Sequence, residues 1–285
     1  MLASPLLLID GDNLAHRAYH AIPRTVQGAG GRPVNAVLGW TTMLLALWDE
    51  QQPRAVFAAW DTLQVPTYRH HLWPSYQAGR VFDAELLEQL DLLPRLAADF
   101  GFGSAKLAGY EADDLLASAV LAETSAGGSC IIVTNDRDAF QLVSDQVSVL
   151  LPKRGAGEAP RVGPAEVVAQ LGVLPEQVPD YKALAGDASD NIPGGRGIGP
   201  KTAASLLRRY GSLERALEAG AVAAGAAEQL RLFRQVVTMR TDAAVSLPGG
   251  APNWAAGAEC LRQLGLFALA TRVDQRAKPR LPGLE

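Results

Sequence analysis

The sequence predicts an α/β protein in which a mostly parallel sheet is flanked by helices and followed by a helical C-terminal region. Four short apolar runs, Leu6 to Ile9, Ala55 to Trp60, Cys130 to Val133 and Val147 to Leu151, have the length and composition of buried strands. Longer segments of helical period lie between them, and alternation of this kind is the mark of parallel strands joined by crossover helices. Beyond about residue 165 the strand signals fade and only helical pieces remain.

Taken in order, Val34 to Trp48 places Val37, Leu38, Thr41, Leu44, Leu45 and Trp48 on one helical face. Leu86 to Phe100 and Asp113 to Glu123 repeat that period. Helices are expected over Pro164 to Leu171, Tyr181 to Ala185 and Thr202 to Tyr210. Gly155 to Pro160 and Pro248 to Pro252 have loop composition, and Ala277 to Glu285 reads as a poorly ordered tail. The expected division is a first domain over 1–165 and a second over 166–285. No fixed-period repeat is present.

Composition bounds the function. The chain has 285 residues, 48% of them hydrophobic, which excludes general disorder. Two cysteines, Cys130 and Cys260, are too few for a disulfide framework or a Cys-rich zinc site, and small buried thiols of a reducing compartment are expected. The apolar N-terminus lacks a basic flank and is broken by Pro5, unlike a signal peptide, and no run approaches the roughly 18 apolar residues of a membrane span. A soluble cytoplasmic monomer is the expectation. The 26 Lys and Arg against 30 Asp and Glu give a formal charge of −4, which counts against nucleic-acid binding by bulk charge alone.

The position of the acids is more informative than their number. Three apolar runs end in Asp: at Asp10, at Asp61, and at Asp136 with Asp138. In a parallel sheet these ends share one edge, where open α/β sheets bind ligands. Glu111, Asp113 and Asp114 crowd a helix start, and Asp187 and Asp190 lie in a turn. Helix capping accounts for one or two such acids, and the turn alone is ordinary. Together the nine would repel one another unless cations sit among them, and hard oxygen ligands suit Mg²⁺ or Mn²⁺. Two such ions would fit metal-assisted attack of water on a phosphate ester. Small-molecule phosphatases could use the same edge. The pairs His16 with His20 and His70 with His71 lack a third soft ligand, so zinc is not expected.

Gly197-Ile198-Gly199-Pro200-Lys201-Thr202 is a glycine-rich turn opening a helix, without a P-loop ending. It would present backbone N–H groups to a phosphate, with Lys201, Arg208 and Arg209 adding charge, and it points to a DNA backbone. Tyr68 to Arg80 interleaves aromatics with Arg and His, a mix equally suited to stacking on bases and to an amphipathic surface loop. Leaving the nine acids out of the count gives 21 acids against 26 bases, so the acidity is local and the remaining surface is basic.

On these residues the chain resembles the bacterial 5′-3′ exonuclease or flap-endonuclease family. The resemblance runs from Leu6 through Asp242 and rests on Asp10-Gly11, Trp60-Asp61, Tyr68-Arg69-His70, Gly109 to Asp114, Thr134 to Asp138, Gly186 to Asn191 and Gly197 to Ala203. It implies a PIN-like nuclease domain with a helical arch around 68–95, joined to a helix-three-turn-helix region with its hairpin at 197–203. The implied substrates are DNA with 5′ flaps, nicks or free 5′ ends, or RNA primers on DNA. By motif, Asp10, Asp61, Glu111, Asp113, Asp114 and Asp136 would surround one metal, and Asp138, Asp187 and Asp190 would complete a second site. K⁺ is implied near Gly197 to Gly199, and DNA contacts at Arg69, Gly197, Ile198, Gly199, Lys201, Thr202 and Arg208. With no polymerase following in the sequence, cooperation with a separate DNA polymerase is expected. The chain departs from the family's Tyr-Lys-x-x-Arg at the arch, reading Tyr76-Gln77-Ala78-Gly79-Arg80. Tyr76, Gln77 and Arg80 are the expected catalytic group. Losing one electrostatic donor of this kind costs on the order of 10²–10³ in rate, so a flap- or junction-binding protein with weakened catalysis is the alternative.

Overall fold

Parallel strands covered on both faces must be apolar throughout, and the central strands here are buried along their whole length. The computed structural model describes residues 4–152 and 159–277. In chain order the elements are β1 (Leu6–Asp10), α1 (Gly11–Ala21), α2 (Asn35–Gln51), β2 (Ala55–Trp60), α3 (Tyr68–Leu72), α4 (Ala84–Asp99), β3 (Gly103–Lys106) and α5 (Ala112–Ser125). There follow β4 (Cys130–Val133), β5 (Val147–Leu150), β6 (Arg161–Val162), α6 (Pro164–Leu171), α7 (Val178–Ala185), α8 (Pro200–Tyr210), α9 (Leu213–Glu218), α10 (Ala227–Val237), α11 (Trp254–Gln263) and α12 (Phe267–Ala277). Of the expected loop at 155–160 only Ala159 and Pro160 are described, and of the expected tail at 277–285 only Ala277, which closes α12; the rest lie outside the described residues.

The six strands lie in the order β3-β2-β1-β4-β5-β6, all parallel except the antiparallel edge strand β6. Because alternate side chains leave opposite faces, the sheet divides the core in two. Leu6, Leu8, Phe57 and Ile132 face α5 and run into a core continued by α6 to α10. Leu7, Ile9, Val56, Trp60 and Val133 face α1, α2, α4, α11 and α12. The order reverses direction between β1 and β4, so a crevice opens at their carboxyl ends.

Within the region 166–285, Leu261, Leu269 and Val273 of α11 and α12 share a core with α4, and Trp254 packs edge-on against Phe100. Of the expected arch over 68–95, Leu86, Leu90 and Leu93 bury the inner face of α4 in the sheet's core, and Tyr76, Gln77, Arg80 and Phe82 line the crevice.

Asp10 ends β1 and caps α1 at once, its Oδ1 accepting the Asn13 N–H at 3.0 Å. Gly11 lets the chain turn there, since a Cβ at this position would lie 2.4 Å from the ring of Trp60, which is itself buried. Gly11→Ala should therefore destabilise the fold by about 1–3 kcal/mol, the range for overpacking a filled core, read as a lowered midpoint in urea unfolding.

Candidate functional site

The carboxyl ends of β1, β2 and β4 and the start of α5 deliver acids into two adjoining cavities. One, of about 330 Å³, is lined by Asp10, Asp61, Glu111, Asp113, Asp136 and Asp190, with Tyr76, Gln77 and Arg80. The other, of about 520 Å³, is lined by Asp136, Asp138, Asp187 and Lys182. Asp136 belongs to both. Ligand atoms of Asp138, Asp187 and Asp190 lie within 4.8 Å of one another.

Backbone and hydroxyl donors hold these carboxylates. Thr134 Oγ1 donates to Asp10 Oδ2 at 2.7 Å, and the Ala112 N–H donates to Asp61 Oδ1 at 2.6 Å. Asp136 Oδ1 accepts the Asp138 N–H at 2.9 Å. Glu111 accepts the Thr67 hydroxyl on Oε1 at 2.9 Å and the Tyr76 hydroxyl on Oε2 at 3.0 Å. Even so, burial and the neighbouring Asp61 push Asp10 up to about 7. Asp113 is pushed well up by burial and then by Asp136 and Asp10, and burial also raises Asp61, Asp136, Glu111 and Asp190. Asp187 moves the other way: burial opposes its charge, but the Lys182 ammonium and bonds from Ser189 outweigh burial and hold it below the usual carboxylate range.

Two expected residues sit elsewhere than expected. Asp114 is fully buried and lines neither cavity; its carboxylate takes both Nη atoms of Arg69 at 2.7 and 2.9 Å and the Arg240 N–H at 2.8 Å. Arg69 is itself only 3% exposed, with its Nε donating to the Val236 carbonyl at 2.9 Å. A guanidinium so enclosed has no face for DNA, so Arg69 acts as an internal tie, and it cannot stand in for the missing lysine at Gln77. The hairpin residues are placed as a surface: Gly197 has φ +76, Gly197, Gly199, Lys201, Thr202 and Arg208 are exposed, and Ile198 packs inward beneath them.

Two residues outside the nine expected acids also enter the site. Asp12 is buried beside Asp61, accepting its N–H on Oδ2 at 2.8 Å, and burial followed by Asp61 raises its pKa well above the ordinary value. The repeat of Asp two residues after Asp10 was its signal. Lys182 ion-pairs with Asp138 and, at 2.5 Å, with Asp187. Only its position one helical turn before the Asp187 turn could have marked it.

Two family descriptions match the chain in turn. Residues 5–172 match the family described as 5′-3′ exonuclease, N-terminal resolvase-like domain, and residues 173–250 match 5′-3′ exonuclease, C-terminal SAM fold. The chain belongs to the 5′-3′ exonuclease family, whose members are phosphodiester hydrolases. The two matches meet after α6. DNA polymerase I of Mycobacterium tuberculosis is 41% identical over 210 residues, 73% of this chain and 23% of that protein. The chain thus spans about a quarter of the length of the curated relatives it matches. In fold it is similar to T5 5′-exonuclease with bound zinc, at TM-score 0.69 and 19% identity over 96% of this chain and 100% of the other. It is also similar to the catalytic core of Rad2 in complex with DNA, at TM-score 0.61 and 13% identity over 98% and 93%.

Two outcomes follow from the electrostatics. Carboxyls raised in the folded state keep protons that the unfolded chain has released, so their stabilising contribution is present at the acid end and is lost as pH rises through about 7, the value reached by Asp10. In chelator, the urea midpoint should be higher near pH 5.5 than near pH 8, and added divalent metal should restore the loss at pH 8. Arg69→Met should cost about 3–5 kcal/mol in urea unfolding, because it leaves Asp114 charged, buried and unpaired.

Proposed function

We propose that the chain is a divalent-metal-dependent 5′-3′ nuclease that hydrolyses phosphodiesters at 5′ flaps, nicks and free 5′ ends of duplex DNA, and of RNA annealed to DNA. The observation that carries this reading is the crevice at β1 and β4, where buried carboxylates crowd without enough cations to balance them. The donor set is all hard oxygen, which suits Mg²⁺ with Mn²⁺ as a substitute. A cation already sits where the second ion would be held, for the Lys182 ammonium bridges Asp138 and Asp187.

Asp10, Asp61, Glu111, Asp113 and Asp136 would hold one ion, and Asp138, Asp187 and Asp190 the other. When bound, such a pair supplies Lewis acidity and charge neutralisation for in-line attack of water on phosphorus. The chain's own groups do the rest. Arg80, 3.3 Å from Asp190 Oδ1 and with a half-exposed side chain, can turn its guanidinium to a phosphate oxygen at the crevice mouth. The turn Gly197 to Gly199 opens α8 with no side-chain cap, so the start of that helix and Lys201 would hold a phosphate of the duplex away from the reacting bond, with K⁺ as a companion ion. Affinity should fall steeply with salt.

A second reading, a flap- or junction-binding protein, is favoured by one observation: the position of the expected arch lysine carries the neutral Gln77, and its amide is occupied by Tyr76 and Asp190. A labelled 5′-flap duplex with Mg²⁺ or Mn²⁺ separates the two. Wild type should cut in a metal-dependent way, Asp136→Ala should lose that cutting, and Gln77→Lys should cut faster, by up to about 10²-fold. Binding without cutting by wild type, with cutting restored in Gln77→Lys, would establish the binding protein instead. Full cutting by Asp136→Ala would sink the metal assignment.

A further inference from the structure

We propose that Gln77 is a positioning residue that fixes Asp190 and, through the Tyr76 hydroxyl, Glu111, so that one neutral side chain holds an acid of each proposed metal group in place. The inference rests on the two-metal reading above.

The amide nitrogen of Gln77 has two hydrogens and both are used: one goes to Asp190 Oδ1 at 2.9 Å and one to Tyr76 Oη at 2.8 Å. Because the tyrosine oxygen accepts there, its own proton is directed to Glu111 Oε2, 3.0 Å away. The direction of the chain is set by chemistry. Asp190 Oδ1 also takes the Arg80 guanidinium, which only donates, so that oxygen accepts and the amide turns its nitrogen to it. A continuous donor path therefore links Asp190 to Glu111, and it leaves other lone pairs of both carboxylates for a cation.

The backbone is committed to the same contact. Gln77 has φ +49, a left-handed conformation uncommon outside glycine that persists only where the surroundings over-determine it. Those surroundings are a docked pair of turns. Trp73 Nε1 donates to the Asn191 carbonyl at 3.0 Å, and Asn191 Nδ2 donates back to the Ser75 and Ala78 carbonyls at 3.0 and 3.1 Å. The amide is uncharged, and Arg80, on the same carboxylate oxygen, supplies the cation. Holding and charge, which one lysine would combine, are divided between two residues.

Calorimetric titration of Mn²⁺ into the DNA-free full chain tests this, beside the Mn²⁺ dependence of flap cleavage. Gln77→Met keeps the length and removes the donors. It should bind Mn²⁺ about 10-fold more weakly at one or both sites and need about 10-fold more Mn²⁺ for half-maximal cleavage, with KM for DNA unchanged. Unchanged Mn²⁺ affinity and unchanged half-saturating Mn²⁺ would overturn the assignment while leaving the two-metal reading intact. Should Gln77→Met fail to fold, Tyr76→Phe, which keeps the buried ring and deletes the hydroxyl, carries the same test through Glu111. A wild-type chain that binds no Mn²⁺ overturns the two-metal reading and this inference with it.

Discussion

Like charges forced together at the end of a parallel sheet are the constraint on which the rest of this molecule is arranged. Strands that are apolar along their length give no place for a charge except where they end, and β1, β2 and β4 end side by side. The acids there cannot move apart without unpicking the sheet. What the fold can do is supply N–H and hydroxyl donors, as Thr134, Ala112 and Thr67 do, and bring cations from other elements, as α7 does with Lys182. These measures are partial, and the residual repulsion is the reservoir that a bound cation would relieve.

The buried pair of Arg69 and Asp114 serves a different end. It joins α3, the first turn of α5 and the segment leaving α10, three pieces far apart in sequence, around a single carboxylate. Such a pair gains little net stability over apolar packing, yet breaking it is costly. Its effect is to set where the wall of the crevice stands relative to the sheet. Glu111 lies three residues before Asp114 on that wall and takes its donors from Thr67 and Tyr76, on either side of Arg69.

Much of the fold was legible because buried strands and amphipathic helices write their period into the sequence: Ala55–Trp60 and Cys130–Val133 lie where the apolar runs lie. What was not legible has physical reasons. β3 is the polar edge strand Gly-Ser-Ala-Lys, with half its residues exposed, and β6 has two residues, so neither carries a pattern. α1 is hidden because Asp12, Asn13 and His16 serve the crevice end of the sheet and break the apolar stripe. In the site, the clustering of acids followed from strand ends, but three acids within Glu111 to Asp114 cannot reveal which one turns inward. Only the buried guanidinium of Arg69, brought from another element, decides that for Asp114. Lys182 was equally silent, since a lysine on a short helix is ordinary until the fold sets it between two aspartates.

The return of α11 and α12 to the core shared with β1 and α4 bears on how the chain is made. The sheet's β1, β2 and β4 are complete by Val133, but one of their faces is closed only when Leu261, Leu269 and Val273 have been synthesised. On the ribosome the α5 side can be covered by α6 to α10 first, while the other face, with Phe100 and Phe102, waits for Trp254 to arrive. These are contacts of long sequence separation, which form slowly and leave apolar surface open in the meantime. α11 and α12 thus act as a seal, and the interval before it closes is when a nascent chain of this fold is open to aggregation.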